Sequence, residues 1–486
     1  MTDIHELTVS EQALHVRKRE LSPVEITRHY LSRIERLNDR LGAYVTVTEE
    51  DALAQARSAE QRVLRDTPED LPPLCGIPVP IKDLDMVAGV RWTWGSAVYA
   101  EQVAPLDEDF VAELRAAGAV LIGKTNTPEF GMACHTDNDV APPARSPWDL
   151  TRSAGGSSGG AGAAVAAGLA PVAQGSDGAG SIRIPASVCG LVGLKPTRGR
   201  VTAAPVRPDL IGLSTTGPLA RTVTDAATLL DAVAITRPGD YFPAPALPSG
   251  VRFRDYAVGT ADALAPGAVG EGPRRLRIGR FAESPVPDAP TQPEVRAAYD
   301  SVSHLLEELG HEVVDIEVPL APEVQNHFGT VWAAMATRYP VQPEDEQRLR
   351  PLSRWLRERG RGLSATEYLD ATHQLQLAIR AAMTRMDEYD AVLTPTLAQL
   401  PAEVGSFSAD GDPVAEFERM TRFTPFTVLA NLTGQPAISL PLVWNPGPIG
   451  TTLMGRFGGE PTLIALAAQL EQARPWHGRR PPIWNA

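Results

Sequence analysis

Two serines in small-residue loops, and one lysine in a chain that uses arginine almost everywhere, are the residues best placed to do chemistry. The first serine lies in Gly155-Gly156-Ser157-Ser158-Gly159-Gly160-Ala161-Gly162. Glycines at a helix start let backbone N–H groups approach an anion closely. Neither common nucleotide motif is completed. A Walker A loop ends in Gly-Lys-Ser/Thr, and the sequence neighbours in lysine are as distant as Lys124 and Lys195. A dinucleotide turn follows a hydrophobic strand, and Ser146-Pro147-Trp148-Asp149-Leu150-Thr151-Arg152 does not read as one. Residues 155–159 also satisfy G-x-S-x-G with Ser157 central, the nucleophile elbow of α/β hydrolases, but the same missing strand weighs against it. The histidines downstream, His304, His311, His327, His373 and His477, stand in no catalytic context, and His311-Glu312 does not complete H-E-x-x-H. No S-x-x-K precedes any lysine.

The second serine, Ser181, lies in Gly175-Ser176-Asp177-Gly178-Ala179-Gly180-Ser181-Ile182-Arg183-Ile184-Pro185-Ala186. Three small residues before it leave consecutive N–H groups unshielded, as an oxyanion hole for a tetrahedral intermediate requires. A serine attacks a carbonyl only with a base in hydrogen-bond reach, and with no histidine nearby the candidate is a buried, neutral lysine. Of 45 basic residues only Lys18, Lys82, Lys124 and Lys195 are lysine. Lysine can lose its proton on burial and arginine practically cannot, so Lys82, inside Pro78-Val79-Pro80-Ile81-Lys82-Asp83-Leu84, invites a chemical reading.

The elements that must position these residues are legible in outline. Ser22-Pro23-Val24-Glu25 reads as a capping box with proline at the first helical position, followed by Ile26, Tyr30, Ile34 and Leu37 at helical spacing. Residues 1–65 are thus expected to be mostly helical. Across 76–200, short apolar runs at 77–81, 119–122 and 191–194 alternate with a helix at 109–117 and with Gly/Ser-rich turns, which is the α/β signature. Residues 237–275 are rich in Pro, Gly and Ala, as in Pro238-Gly239-Asp240 and Pro266-Gly267-Ala268, and read as a loop-rich surface excursion within one domain spanning 1–486. Beyond it, strands at 276–279, 312–318 and 391–393 alternate with helices at 293–309, 366–386 and 461–470. No repeat of solenoid period is present.

Composition excludes several classes. A chain of 486 residues with 43% hydrophobic and 21% charged residues buries a large core and is not disordered. With 59 acidic against 45 basic residues its net charge is −14, unsuited to nucleic acid or an anionic membrane. The first twenty residues hold no secretory h-region, and the low-polarity run at 160–173 is too short to span about 30 Å of hydrocarbon. The three cysteines, Cys75, Cys134 and Cys189, match neither a disulfide framework nor a zinc motif, so buried filler roles and a cytoplasmic location are expected.

Taken together, these motifs resemble the amidase signature family of serine hydrolases. The resemblance rests on Gly-Gly-Ser-Ser-Gly-Gly at 155–160, the run at 175–186 and their spacing. Gly76-Ile77-Pro78-Val79-Pro80-Ile81-Lys82-Asp83, the stretch from Gly123-Lys124-Thr125-Asn126 to Gly131, and Gly193-Leu194-Lys195-Pro196-Thr197 add to it. Similar stretches at 431–441 and 463–482 extend it over nearly the whole chain. It implies one large α/β fold, with a mixed central sheet covered by helices on both faces, and a Ser–cis-Ser–Lys catalytic set. Ser181 matches the nucleophile, Ser157 the bridging serine preceded by a cis peptide bond from Gly156, and Lys82 the base, neutral because apolar surroundings disfavour its ammonium. Backbone N–H groups of Gly178, Ala179, Gly180 and Ser181 are the expected oxyanion hole. Ser158, Asp177 and Arg183 are supporting residues, the last two as an ion pair holding the loop, and Lys124 and Lys195 anchor loops.

The implied activity is hydrolysis of C–N bonds of uncharged small-molecule amides, with aryl amides, esters and carbamates included, needing no metal and no organic cofactor. The expected state is a monomer or homodimer without nucleic-acid or membrane partners. Two departures from the family pattern appear. Ala179 replaces a glycine common there, which is expected to narrow the acyl side of the pocket. Ile184 stands where glutaminase subunits of tRNA-dependent amidotransferases usually carry glutamine, which leans away from that alternative. Segments 99–107, 135–144 and 319–339 are expected to shape the pocket; Trp92 and Trp94 either line it or pack in the core.

Overall fold

The helix signals near the N-terminus act as their chemistry dictates. Ser22 accepts hydrogen bonds from the backbone of Val24 and Glu25, the Glu25 carboxylate caps Ser22 in return, and a helix runs over Pro23–Leu41 until Gly42 turns left-handed. Its apolar stripe, Ile26, Tyr30, Ile34 and Leu37, is buried. The computed structural model describes residues 3–206, 211–261, 263–264 and 274–486. Within the expected helical segment a strand, β1 (Tyr44–Val47), separates this helix from the next, Glu49–Arg65. It pairs antiparallel with β3 (Val120–Thr125), which pairs parallel with β2 (Pro78–Lys82) to complete a three-stranded sheet.

A hairpin of β4 (Arg145–Ser146) and β5 (Asp149–Ser153) forms a separate two-stranded sheet, bridged at Arg152 to Glu403. The stretch that does not read as a strand in sequence is therefore one in part. Its polar side chains alternate toward solvent because it lies outside both larger sheets, so it does not supply the central strand a nucleophile elbow needs. The eight-stranded sheet contains β6 (Val172–Asp177), β7 (Val192–Lys195), β8 (Thr215–Ala220), β9 (Arg277–Arg280), β10 (Glu312–Asp315), β11 (Ala391–Pro395), β12 (Ala437–Val443) and β13 (Ile449–Gly455). Its order is β10-β9-β11-β13-β12-β7-β8-β6, parallel at β10-β9-β11 and antiparallel beyond, so the sheet is mixed.

Successive strand residues point to opposite faces, and here they feed two separate cores. Val392, Ala437 and Met454 join one cluster; their neighbours Leu393, Ile438 and Leu453 join the other. Helices Gly159–Ala166 and Arg183–Cys189 cover the first face, and Val223–Val233, Pro293–Glu308 and Glu460–Ala473 the second. The helix Gly159–Ala166 is buried on all sides, and only small residues permit its position: a Cβ on Gly160 would lie 2.3 Å from the Asn126 nitrogen and 2.4 Å from the Ala43 oxygen.

Part of the expected excursion is anchored. Phe253–Ala257 forms a short helix whose first N–H groups, of Phe253 and Arg254, donate to Asp231 at 2.7 and 3.0 Å, and the Phe253 ring is buried under Arg200. Residues 262 and 265–273 of that stretch lie outside the described residues. Among the described residues no helix is long and apolar enough to cross a membrane, and all three cysteines are buried and unpaired.

Candidate active site

The site forms where β2, β6 and the start of the central helix converge. Lys82 closes β2 and is fully buried. Its Nζ lies 2.7 Å from Ser157 Oγ, 3.1 Å from Ser176 Oγ and 3.3 Å from the Ser176 carbonyl oxygen. Ser157 stands just before the helix Gly159–Ala166, and its peptide bond from Gly156 is cis. Ser158 faces the other way: its Oγ donates to the Ser176 carbonyl (3.2 Å) and accepts from the Ser176 N–H (3.3 Å), while its own N–H donates to the Ser181 carbonyl (3.2 Å). Ser158 thereby ties the two serine-bearing loops and β6 together.

The loop after β6 is shaped around one carboxylate. Asp177 accepts the Arg183 guanidinium in two bonds of 2.9 and 3.0 Å, with the Gly180 N–H at 2.7 Å and the Ile182 N–H at 3.2 Å. Burial alone would raise this carboxyl, but Arg183 beside it, with Lys195 and Asn431, holds it well below the usual carboxylate range. Asn431, distant in sequence, donates to both the carboxylate and the carbonyl of Asp177 and accepts from Arg183 at 2.7 Å. Nothing in the local sequence around Asn431 announces this role. Gly180 takes φ +127°, and a Cβ there would lie 2.5 Å from Thr427 Oγ1.

The expected donors differ in their partners. The Gly180 N–H is engaged by Asp177, whereas the N–H groups of Gly178, Ala179 and Ser181 meet no acceptor among the described residues. Ala179 has no left-handed backbone and does not border the cavity, so it does not narrow it. Ser181 Oγ makes no hydrogen bond to a described residue, although Ser181 and Ser157 border the same cavity. Hydroxyl contacts in enzyme sites are often loose without substrate and tighten in the complex.

That cavity, about 280 Å³, suits a small substrate. Trp94, Phe130, Trp332 and Tyr339 wall it, and Arg338 is its one charged side chain among the described residues. Trp94 and Phe130 both hold left-handed backbones, at φ +54° and +55°, a conformation that costs such side chains of order 1–3 kcal/mol. Hydrogen bonds hold them there: the Trp94 N–H donates to the Asp83 carbonyl (3.1 Å), the Phe130 N–H to the Trp94 carbonyl (2.7 Å) and the Tyr339 hydroxyl to the Phe130 carbonyl (3.0 Å). The Tyr339 ring stacks on Phe130 at 4.2 Å. Of the segments expected to shape the pocket, only 319–339 does so; Trp92 is core, packed edge-on to Trp94 at 4.1 Å.

The remaining buried lysines, Lys124 and Lys195, each donate to a main-chain carbonyl. Lys124 Nζ donates to the Asp85 carbonyl at 2.5 Å and pairs with Asp83 at 3.3 Å, and Lys195 donates to the Pro196 carbonyl at 2.9 Å. Burial lowers both, Lys195 to about 7. His135, whose main chain packs against Gly156, turns its ring to Glu416 at 3.0 Å and stacks on Phe407. Among the described residues no three His, Cys, Asp or Glu side chains gather as a metal site.

A mixed α/β sheet with a buried lysine–serine pair beside a cavity walled by aromatic rings and by serine and threonine residues is compatible with a hydrolase, and likeness to known proteins says which. The chain belongs to the amidase family, whose model matches residues 25–464. It is 35% identical to the 6-aminohexanoate-cyclic-dimer hydrolase of Paenarthrobacter ureafaciens, over 98% of this chain and 96% of that one. A solved structure of a 6-aminohexanoate cyclic dimer hydrolase with substrate superposes with a TM-score of 0.87 at 32% identity, covering 100% of both chains. A bacterial aryl acylamidase structure of the amidase signature family gives 0.84 at 25% identity, over 98% of this chain and 100% of the other. A glutamyl-tRNA(Gln) amidotransferase component from Geobacter metallireducens is 34% identical over 99% of this chain and 100% of its own. The chain is thus an amide-hydrolysing enzyme acting on C–N bonds other than peptide bonds.

Proposed function

We propose that the enzyme hydrolyses uncharged small-molecule amides bearing an apolar or aryl group, and related esters and carbamates, through an acyl-enzyme on Ser181. The observation that carries this reading is the fully buried Lys82 amine, 2.7 Å from a serine hydroxyl that borders the cavity. The Ser176 carbonyl can only accept, so an N–H of Lys82 is directed to it. An uncharged amine then has its lone pair for the Ser157 hydroxyl.

In the proposed reaction Ser181 Oγ attacks the carbonyl carbon, its proton passes to Ser157 Oγ, and the Ser157 proton passes to Lys82 Nζ. The N–H groups of Gly178 and Ser181, both bordering the cavity, stabilise the oxyanion. When the C–N bond breaks, the leaving amine takes a proton back through Ser157. Water then attacks the acyl group along the same path and regenerates Ser181. The aromatic walls favour an uncharged, apolar substrate over a zwitterionic amino acid.

A fluorophosphonate probe tests this directly. It should label Ser181, and Ser181→Ala should lose both labelling and turnover of an aryl amide; labelling that persists in that variant rejects the assignment. The similarity to the amidotransferase component favours a second reading, a partner-dependent glutaminase. Purified chain that cleaves an aryl amide alone, as a monomer or homodimer, decides for the first; activity on glutamine that appears only with copurifying partner chains decides for the second.

A further inference from the structure

The strand that carries the lysine and the strand that leads to the nucleophile loop belong to different sheets. β2 is an edge of the three-stranded sheet and pairs with β3, while β6 is an edge of the eight-stranded sheet and pairs with β8. Among the described residues no backbone ladder joins the two edges, yet they must hold Lys82 and Ser181 in fixed register. Gln174, within β6 and buried, bridges the gap: its Oε1 accepts the Lys82 backbone N–H at 2.8 Å, and its Nε2 donates to Asp85 Oδ2 at 2.9 Å and to the Gly175 carbonyl at 3.1 Å. Two residues further along β6, and so on the same face, Ser176 holds the Lys82 amine through its hydroxyl and carbonyl. Asp177 follows and anchors the nucleophile loop.

We propose that Gln174 is a positioning residue for the base, its side-chain amide replacing the missing ladder bond so that β6 sets the spacing between Lys82 and Ser181. The amide is suited to this because it presents one acceptor and one donor to an N–H and a carboxylate that are both buried. Gln174→Leu leaves both without this partner. Gln174→Glu keeps the acceptor for Lys82 but sets a second carboxylate against Asp85. Combining Gln174→Glu with Asp85→Asn restores the donor–acceptor pair with its direction reversed and the net charge unchanged. The inference rests on Lys82 being the base.

The test measures kcat, KM and the rate of fluorophosphonate labelling of Ser181 on the full chain, together with Tm. Each single variant should lower kcat and labelling by about 10–100-fold with KM little changed, as expected of a displaced reacting group. The paired exchange should recover most of both. Unchanged kcat in a folded Gln174→Leu overturns the proposal, and so does a paired exchange that regains wild-type Tm without regaining kcat. If the single variants fail to fold, the paired exchange alone decides by the same criterion. Lys82→Arg run in parallel separates the two readings: activity retained there rejects the base itself, whereas activity lost there but unchanged in Gln174→Leu rejects only the positioning role.

Discussion

The Asp177 carboxylate and the Arg183 guanidinium meet in a bidentate pair, both fully buried, on either side of Ser181 in sequence. Because the carboxylate also receives the Gly180 and Ile182 N–H groups, the pair sets the curvature of the loop rather than merely neutralising charge. Asp177→Asn leaves the Arg183 cation buried without its counter-charge and should cost about 3–5 kcal/mol, read as a large fall in Tm. Arg183→Lys in the otherwise unaltered chain should also lower Tm, since an ammonium cannot make the bidentate pair with Asp177. The folded carboxyl lies below its unfolded value, so its contribution is complete above the ordinary carboxylate range and is lost only as pH falls through that lower folded value.

Lys82→Arg should reduce kcat/KM by about 10²–10⁴-fold, the usual contribution of a proton-transfer group, because guanidinium does not deprotonate. Steady-state kinetics on an aryl amide measure this. Near-normal turnover would remove Lys82 from the reaction.

Gly178 faces Trp332 across the cavity, and a Cβ on it would lie 3.6 Å from that ring at an ordinary backbone conformation. Gly178→Ala should therefore fold normally yet crowd the cavity. We expect KM to rise several-fold for bulky aryl amides, of order 1 kcal/mol in binding, with little change for short aliphatic ones. Equal effects on both substrate sizes would place the substrate elsewhere.

Glu471 accepts the Val223 N–H at 3.2 Å while burial, aided by Asp225 nearby, raises its carboxyl to about 7. A carboxyl raised on folding binds its proton more tightly in the native state, so stability falls as pH rises from its unfolded value through about 7. Glu471→Gln keeps an acceptor for Val223 and should raise Tm at pH 8, by a stabilisation of about 1–2 kcal/mol, with little effect at about pH 4. Thermal melts across that range check the sign; equal shifts at both ends contradict it.

The sequence showed the ingredients of this site better than their support. Ser157, Ser181 and Lys82 stand in unusual local contexts, and helix caps such as Ser22 to Glu25 announce themselves because their signals are contiguous. β6 is hard to see because Val172-Ala-Gln-Gly-Ser-Asp177 lacks β-branched alternation, and its polar Gln174 and Ser176 turn inward to buried partners instead of marking a solvent face. β5 is hidden for the opposite reason, since an exposed hairpin carries polar residues. Gln174 and Asn431 act only across long loops closed by the tertiary fold, and no periodicity near either residue encodes the partner. The Gly180 donor differs from expectation because sequence shows an N–H but not the carboxylate that occupies it.

The left-handed backbones of Trp94 and Phe130 divide the cavity lining into two kinds of position. Those two residues are locked by main-chain bonds that pass from Asp83 to Trp94 to Phe130, so altering either disturbs the turn next to Lys82. Trp332 and Met335 project from a regular helix, where a side chain can be exchanged without moving the main chain. A mutant library built to redirect this enzyme to new amides should therefore randomise 332 and 335 and leave 94 and 130 untouched.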